Sequence, residues 1–354
     1  MHVLIIKTSS LGDVVHTFPA LSDAARAMPG IRFDWVVEKS YAGIPSWHPA
    51  VDQVIETDTR SWRSSWLKTW LRGDWKAFVR RLQLRRYDAV IDAQGLIKSA
   101  MMTRKAHGVK HGLDCASARE PQASRFYDLT YAIGKEQHAI ERTRQLFARA
   151  LAYEYEASMP DYGLQLPDTT GNTTGSPTEA EKYVVFLHGS AWVSKRWPTD
   201  FWQELKQCAE KAGYAVSLPA GSEAERTTAR QIVADSSMAI VLPPTGLTAL
   251  ASILRNADGV VAVDTGLAHV AAAMNAPLVA LYGATSTART GVLGNQALAM
   301  QSTLDCAPCY KRQCARLRPD QIDDDPPCTH SWSASEVWTQ LEQQMRQRQM
   351  GKGG

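Results

Sequence analysis

Three segments of the 354-residue chain place reactive side chains where an apolar run gives way to a helical pattern. The most pointed is Val260-Val261-Ala262-Val263-Asp264-Thr265-Gly266-Leu267-Ala268-His269. The first-turn amides of a helix starting there point out of the strand end, which makes an anion site suited to a diphosphate. Thr265 adds a hydroxyl donor, and Gly266 lets a ligand approach the backbone closely. His269 falls on the first turn, where a histidine packs or caps as readily as it meets a ligand. Asp-Thr-Gly is also the aspartic-protease triplet, but that chemistry needs two carboxylates sharing a proton. The chain has no second Asp-Thr-Gly or Asp-Ser-Gly, and Leu267 follows the glycine where a Ser or Thr belongs.

The second segment is Lys7-Thr8-Ser9-Ser10-Leu11-Gly12-Asp13, between Val3–Ile6 and a helical pattern from Val14 to Ala27. It has one glycine where a dinucleotide fingerprint needs three, which disfavours a dehydrogenase. Asp13 stands where an N-cap would sit. Its alternative role is a carboxylate held over a cleft as a general base. The third segment ends a strand with Phe186-Leu187-His188-Gly189-Ser190 and continues through Lys195-Arg196-Trp197-Pro198. A lysine in such a loop can meet phosphate as a point charge, although most single lysines are merely solvated.

Cys306, Cys309, Cys314 and Cys328 have x2, x4 and x13 spacings. Four thiols with one C-x2-C can hold a structural zinc, and Pro308 and the irregular spacing count against it. No His/Asp/Glu cluster marks a catalytic metal, and no Gly-x-Ser-x-Gly elbow marks a hydrolase.

Strand–helix alternation must position these residues. Val3–Ile6, Phe33–Val37 and Ala89–Ile91 read as buried parallel strands, and Gln137–Tyr153 as a helix with almost all its acidic and basic residues on one side. A Pro-, Gly- and Thr-rich stretch follows. Strands resume at Val184–Leu187, Ala215–Leu218, Ala239–Leu242, Gly259–Val263 and Leu278–Leu281, with helical patterns between them. The expected organisation is one domain over 1–155, a linker over 156–182, a second domain over 183–332, and a helix over 333–354 packing back on the first domain. Alternation on both sides of a linker predicts an α/β protein of two doubly wound domains, with ligands at the carboxyl ends of the strands in a cleft between them. No export signal opens the chain, and no segment is apolar enough to span a membrane. Six cysteines in such a chain point to reduced cytosolic thiols.

Net charge is +3, yet Thr59–Arg86 holds nine basic residues against Asp74 alone. Trp62, Trp66, Trp70 and Trp75 lie among them. This is either a solvated helix face with tryptophans in a core, or a surface for an anionic partner at a membrane interface. Nucleic acid is disfavoured because the chain as a whole is not strongly basic.

The opening segment, Phe33-Asp-Trp-Val-Val-Glu38, Tyr87–Ser99, His107–Gly112 and the Asp264–His269 motif together resemble the lipopolysaccharide heptosyltransferase I family, of glycosyltransferase family nine. The resemblance spans nearly the whole chain and implies two Rossmann-like domains facing a cleft (GT-B architecture). It implies inverting, metal-independent transfer of heptose from ADP-L-glycero-D-manno-heptose to the inner Kdo of Kdo-lipid A. The enzyme would act as a monomer, peripheral on the cytoplasmic face of the inner membrane. It makes Asp13 the base and Lys195 the partner of the departing diphosphate. Asp264, Thr265, Gly266, His269, Ser190 and Glu223 become donor contacts; Arg60, Arg63, Lys98, Ser10, Gly12 and Arg119 become acceptor contacts. Two features depart from the pattern. Ala191 replaces one of two expected hydroxyl residues, and the Cys306–Cys328 segment resembles heptosyltransferase II, whose acceptor is a heptosylated core. A binding protein that kept the site without turnover is the alternative of a different class.

Overall fold

The structure is a computed structural model and describes residues 1–59, 73–167, 182–318 and 325–352. It divides into two compact units, Met1–Pro167 and Asp168–Gly354. Arg60, Arg63, Trp62, Trp66 and Trp70 lie outside the described residues.

The first unit is a parallel sheet of β1 (His2–Ile6), β2 (Arg32–Glu38), β3 (Val51–Thr57), β4 (Arg86–Asp92), β5 (His107–Leu113) and β6 (Leu129–Tyr131). Its order is β3-β2-β1-β4-β5-β6, so the chain reverses direction across the sheet between β1 and β4. Leu4 lies between Asp34 and Val90 in register. Val3 through Ile6 are fully buried, as a central parallel strand covered on both faces must be. The helices are α1 (Leu11–Val15), α2 (Phe18–Ala27), α3 (Asp74–Gln83), α4 (Ile97–Lys105) and α5 (Ala139–Leu151). On α3, Phe78 and Leu82 reach the core, while Lys76, Arg80 and Arg81 are exposed, so this part of the basic segment is a solvated face.

Two expectations are corrected here. Residues 156–167 are not a free linker but close over the first unit. Arg144 of α5 is buried, its Nε donating to Asp23 at 2.6 Å and its other nitrogens to the carbonyls of Glu156 and Ser158. Gln165 N donates to Trp47 O at 2.7 Å. The charges of α5 therefore do not all face water: Arg144 is the ion that ties this strap to α2.

The second unit repeats the plan with β7 (Tyr183–Leu187), β8 (Ala215–Leu218), β9 (Ala239–Val241), β10 (Gly259–Val263), β11 (Leu278–Tyr282) and β12 (Ala297–Gln301). All pairs are parallel, in the order β12-β11-β10-β7-β8-β9, with the reversal between β10 and β7. Its helices are α6 (Thr199–Lys211), α7 (Glu223–Val233), α8 (Leu247–Asn256), α9 (Gly266–Ala273), α10 (Thr287–Thr290) and α11 (Ala334–Lys352). Helix α11, expected to pack on the first domain, is part of the second unit's own core. Val337, Trp338, Leu341 and Met345 form its apolar stripe, and Leu341 lies against Gly259, where a Cβ would meet its methyl carbons at 2.9–3.0 Å. Burying a leucine this completely is worth about 2–3 kcal/mol. No helix among the described residues is long and apolar enough to cross a membrane.

Candidate active site

In the first unit the site grows from the carboxyl ends of β1 and β4, the reversal point where doubly wound sheets bind ligands. Asp13 is not the N-cap of α1: Ser10 holds that place, and Asp13 is the third helical residue. Ser10 N and Oγ donate to Asp13 Oδ2 at 2.9 and 2.8 Å. Oδ1 faces the Lys7 ammonium at 3.9 Å. Burial alone would raise the Asp13 carboxyl, but Lys7, the two Ser10 hydrogen bonds and Arg119 outweigh it and hold it below the usual carboxylate range. Lys7 is itself buried and donates to Ala93 O at 2.9 Å. Desolvation pulls its ammonium below the ordinary lysine value, against the attraction of Asp13 and Asp92.

Behind Asp13 the loop is held from β4. Gln94 Oε1 accepts from Thr8 N and Ser9 N at 3.0 and 3.3 Å. Asp92, fully buried, accepts from Gln94 N, Gly95 N, Ser99 Oγ and Tyr127 Oη. Burial pushes the Asp92 carboxyl up despite these bonds. Of the expected acceptor residues, Ser10, Lys98 and Arg119 are exposed on loops or helix starts at this end, whereas Gly12 is buried inside α1.

In the second unit Asp264 directly follows β10, at the sheet's reversal point. Lys195 Nζ lies 2.6 Å from Asp264 Oδ2, and the Thr285 hydroxyl donates to the same oxygen. Ser190 Oγ donates to Asp264 O at 3.3 Å, tying the loop after β7 to that after β10. Thr265 is the extended N-cap of α9, which starts at Gly266. His269 is buried on that helix. The Lys195 ammonium also lies over the Trp192 ring, 4.5 Å from its centroid. An ammonium beside a helix N-terminus can hold a diphosphate and take up charge as it leaves.

Glu223 is exposed and pairs with Arg226 and Arg230 of its own helix, at 3.5 and 3.2 Å. The α7 carboxylate turned to the strand end is Glu225: it accepts from Gly221 N at 2.8 Å and fills the space a Cβ on Gly189 would need. Sequence reasoning passed over Glu225, Lys7, Gln94, Thr285 and Trp192. The Ser10/Asp13 spacing of a capping box was the one signal that could have moved Asp13 off the N-cap.

The sequence pattern of glycosyltransferase family 9 (heptosyltransferase) matches residues 75–318. The chain belongs to this family. It is 47% identical over 351 residues to lipopolysaccharide heptosyltransferase 1 of Pseudomonas aeruginosa, covering 97% of each chain. It is also 47% identical to the Escherichia coli K12 protein of that name over 295 residues, 83% of this chain and 91% of the other. The E. coli heptosyltransferase WaaC structure with ADP superposes with a TM-score of 0.84 at 41% identity, covering 97% of this chain and all of that one. The WaaC structure with ADP-2-deoxy-2-fluoro heptose gives 0.78 at 40% identity, over 99% of this chain. The family's fold, two parallel six-stranded α/β units, is the fold described above.

Proposed function

We propose that this chain transfers heptose from ADP-heptose to the inner-core acceptor of lipopolysaccharide, Kdo-lipid A, with inversion at the anomeric carbon. The observation that carries the reading is the Asp13 carboxylate, kept ionised beside Lys7 and oriented by Ser10 at a sheet reversal point. Both Ser10 hydrogen bonds fall on Oδ2, so Oδ1 is the oxygen left to take a proton. In this reading Asp13 removes the proton from the acceptor hydroxyl as that oxygen attacks. The second unit binds the donor: the α9 N-terminus and Lys195 meet the diphosphate, and Lys195 exchanges Asp264 for phosphate oxygens as charge develops on departing ADP. Identity to heptosyltransferase 1 relatives along nearly the whole chain favours Kdo over a heptosylated acceptor, because the heptosyltransferase 2 of Haemophilus ducreyi matches only 130 residues. The protein would work peripherally at the membrane surface, where an acidic glycolipid acceptor is presented.

Release of ADP from ADP-heptose tests the proposal, measured with Kdo-lipid A and again with the heptosylated product. Turnover on the first and not the second is the expected result. Tight donor binding without turnover on either acceptor would leave a binding protein.

A further inference from the structure

The turn that carries Lys195 is built against a distant stretch of the same unit. Val193–Lys195 make one short 3₁₀ turn, with Trp192 as its extended N-cap. Within it Ser194 is buried, its Oγ donating to Lys311 O at 2.6 Å and its N to Arg312 O at 3.3 Å. Tyr310 N donates to Ala284 O at 2.7 Å, and Ala284 precedes Thr285, the hydroxyl partner of Asp264. Residues 310–312 are therefore tied through their backbone to both loops that hold Asp264. That places Arg312 beside the Lys195 turn whatever its own side chain does.

The side chain then adds a second, independent contact. The Lys195 ammonium lies over the half-buried Trp192 ring, 4.5 Å from its centroid, and the Arg312 guanidinium lies over the same ring at 5.5 Å. Both distances fall within the reach of about 6 Å for a cation–π contact. One indole thus gathers two cations, and the carboxylates do not match them. Asp264 pairs with Lys195 at 2.6 Å, while among the described residues Arg312 has no ion pair, although Arg316 on the same stretch lies 4.0 Å from Asp305. Like charges held near one ring repel each other. The negative face of the indole offsets part of that, and an anion reached by both cations would reverse it.

The charge balance of the donor site asks for such a cation. Lys195 and Asp264 cancel each other, which leaves the N-terminus of α9, about half a positive charge. A sugar nucleotide brings about one negative charge on each of its two phosphates, and the terminal phosphate gains roughly another as ADP leaves. One lysine that must first give up Asp264 falls short of this. An arginine suits the shortfall, because its planar fork can lie on a ring and still direct N–H donors at phosphate oxygens.

We infer that Arg312 is a second cation of the donor site, carried on Trp192 beside Lys195, and that the two together meet the diphosphate. Trp192 is the platform and Arg312 a binding residue for ADP. The inference rests on the donor-site reading above and adds to it two side chains that the strand-end motifs do not contain.

The test is calorimetry of ADP binding to the full chain at several salt concentrations. Arg312→Gln removes the charge but not the backbone carbonyl that holds Ser194, and its side chain is exposed, so the melting curve should stay nearly native. At about 0.1 M salt, where charges act over about 10 Å, ADP should bind the variant about tenfold more weakly, the worth of one charge-assisted hydrogen bond. Wild-type affinity should also fall more steeply with salt than that of the variant. Trp192→Leu should weaken ADP binding several-fold, and Trp192→Phe, which keeps a ring, should recover most of the loss. Arg312→Gln binding ADP within twofold of wild type, or more weakly but with an unchanged salt dependence, overturns the role of Arg312. Trp192→Leu binding as well as wild type overturns the platform. Wild-type protein that does not bind ADP overturns the donor-site reading itself, so the two failures are told apart by the wild-type arm.

Discussion

Replacing Asp13 by Asn separates chemistry from architecture. Asp13 does two jobs in the structure: it completes the start of α1 by accepting twice from Ser10, and it presents Oδ1 beside Lys7. Asparagine keeps the first job, since its carbonyl oxygen can accept both Ser10 bonds. What it loses there is charge assistance, about 1 kcal/mol for a bond of this kind. At roughly 2–4 °C per kcal/mol for a unit of this size, the melting temperature should fall by only a few degrees. The second job is lost entirely, because an amide cannot take the acceptor proton. General-base catalysis contributes about 10²–10⁴-fold, which is about 2.7–5.5 kcal/mol of barrier. The assay is ADP release at saturating ADP-heptose and Kdo-lipid A, with ADP affinity measured separately by calorimetry. The expected result is a kcat lowered at least a hundredfold, unchanged ADP affinity and a nearly native melting curve. Turnover within threefold of wild type would show that Asp13 only starts a helix.

Lys7→Met should move the acid limb of kcat/KM to higher pH. Asp13 is held below its ordinary value of 3.8 chiefly by Lys7 and Ser10, against burial, so its charge and the stability it contributes persist until pH falls through that lowered value; an unmoved limb would show that Lys7 does not tune it. Lys195→Ala should weaken ADP-heptose binding and lower kcat while leaving the acceptor KM in place, which initial-rate kinetics in both substrates will resolve. Arg60→Ala with Arg63→Ala should raise the acceptor KM and flatten its salt dependence, since an acidic glycolipid is drawn by charges screened at about 8 Å in physiological salt; donor kinetics are the control. Arg144→Ala should destabilise the first unit by about 3 kcal/mol, the low end for breaking a buried pair, because Asp23 keeps only the exposed Arg26, 3.3 Å away; chemical denaturation will read it.

The central strands were legible because they are short, apolar and buried: β1, β2, β4, β7, β8, β10 and β11 fall within two or three residues of the spans read from sequence, and so does β9, an edge strand that was read from its apolar Ala-Ile-Val run. The missed strands are those near the sheet edges. β3, Val-Asp-Gln-Val-Ile-Glu-Thr, is half polar because an edge strand needs only part of its surface covered. β5 carries Gly108 and Gly112, where any Cβ would collide with Tyr87 O or the Tyr127 ring, so its glycines read as loop. The turn Asp264-Thr265-Gly266 was legible as a strand end running into a helix, since its residues are contiguous. Its partners Lys195 and Thr285 come from other loops, and only the fold joins them. Helical spacing alone could not mark Arg144 as a buried ion, because it does not tell a buried ion pair from a wet face and its partner Asp23 is 121 residues away. The far helix was misplaced for a similar reason: its stripe fits any apolar surface, and the match to Gly259 is visible only in three dimensions.

The two units use one topology to opposite electrostatic ends. In each, the fourth strand ends in an aspartate at the reversal point: Ala89-Val90-Ile91-Asp92 and Val261-Ala262-Val263-Asp264. Asp92 is satisfied from all sides by two backbone amides and the hydroxyls of Ser99 and Tyr127, with no atom left for a ligand. It behaves as a scaffold that fixes Gln94, and through Gln94 the loop leading to Asp13. Asp264 instead has an ammonium among its partners, 2.6 Å away on a side chain that remains 15% exposed. A diphosphate can compete for that cation, because phosphate oxygens offer charge and hydrogen-bond capacity without removing a buried network. In the reading proposed above the base is the carboxylate on the turn after the first strand, Asp13, where Lys7 lies 3.9 Å away and a third of the side chain stays exposed. In the same proposed reading Lys195 meets the donor, because its resting partner Asp264 is one it can leave for phosphate. An Asp264→Asn exchange should expose this difference, since it frees Lys195 and alters donor affinity. Asp92→Asn would instead put an NH₂ against the Ser99 and Tyr127 donors and disturb the Asp13 loop, without touching the donor site.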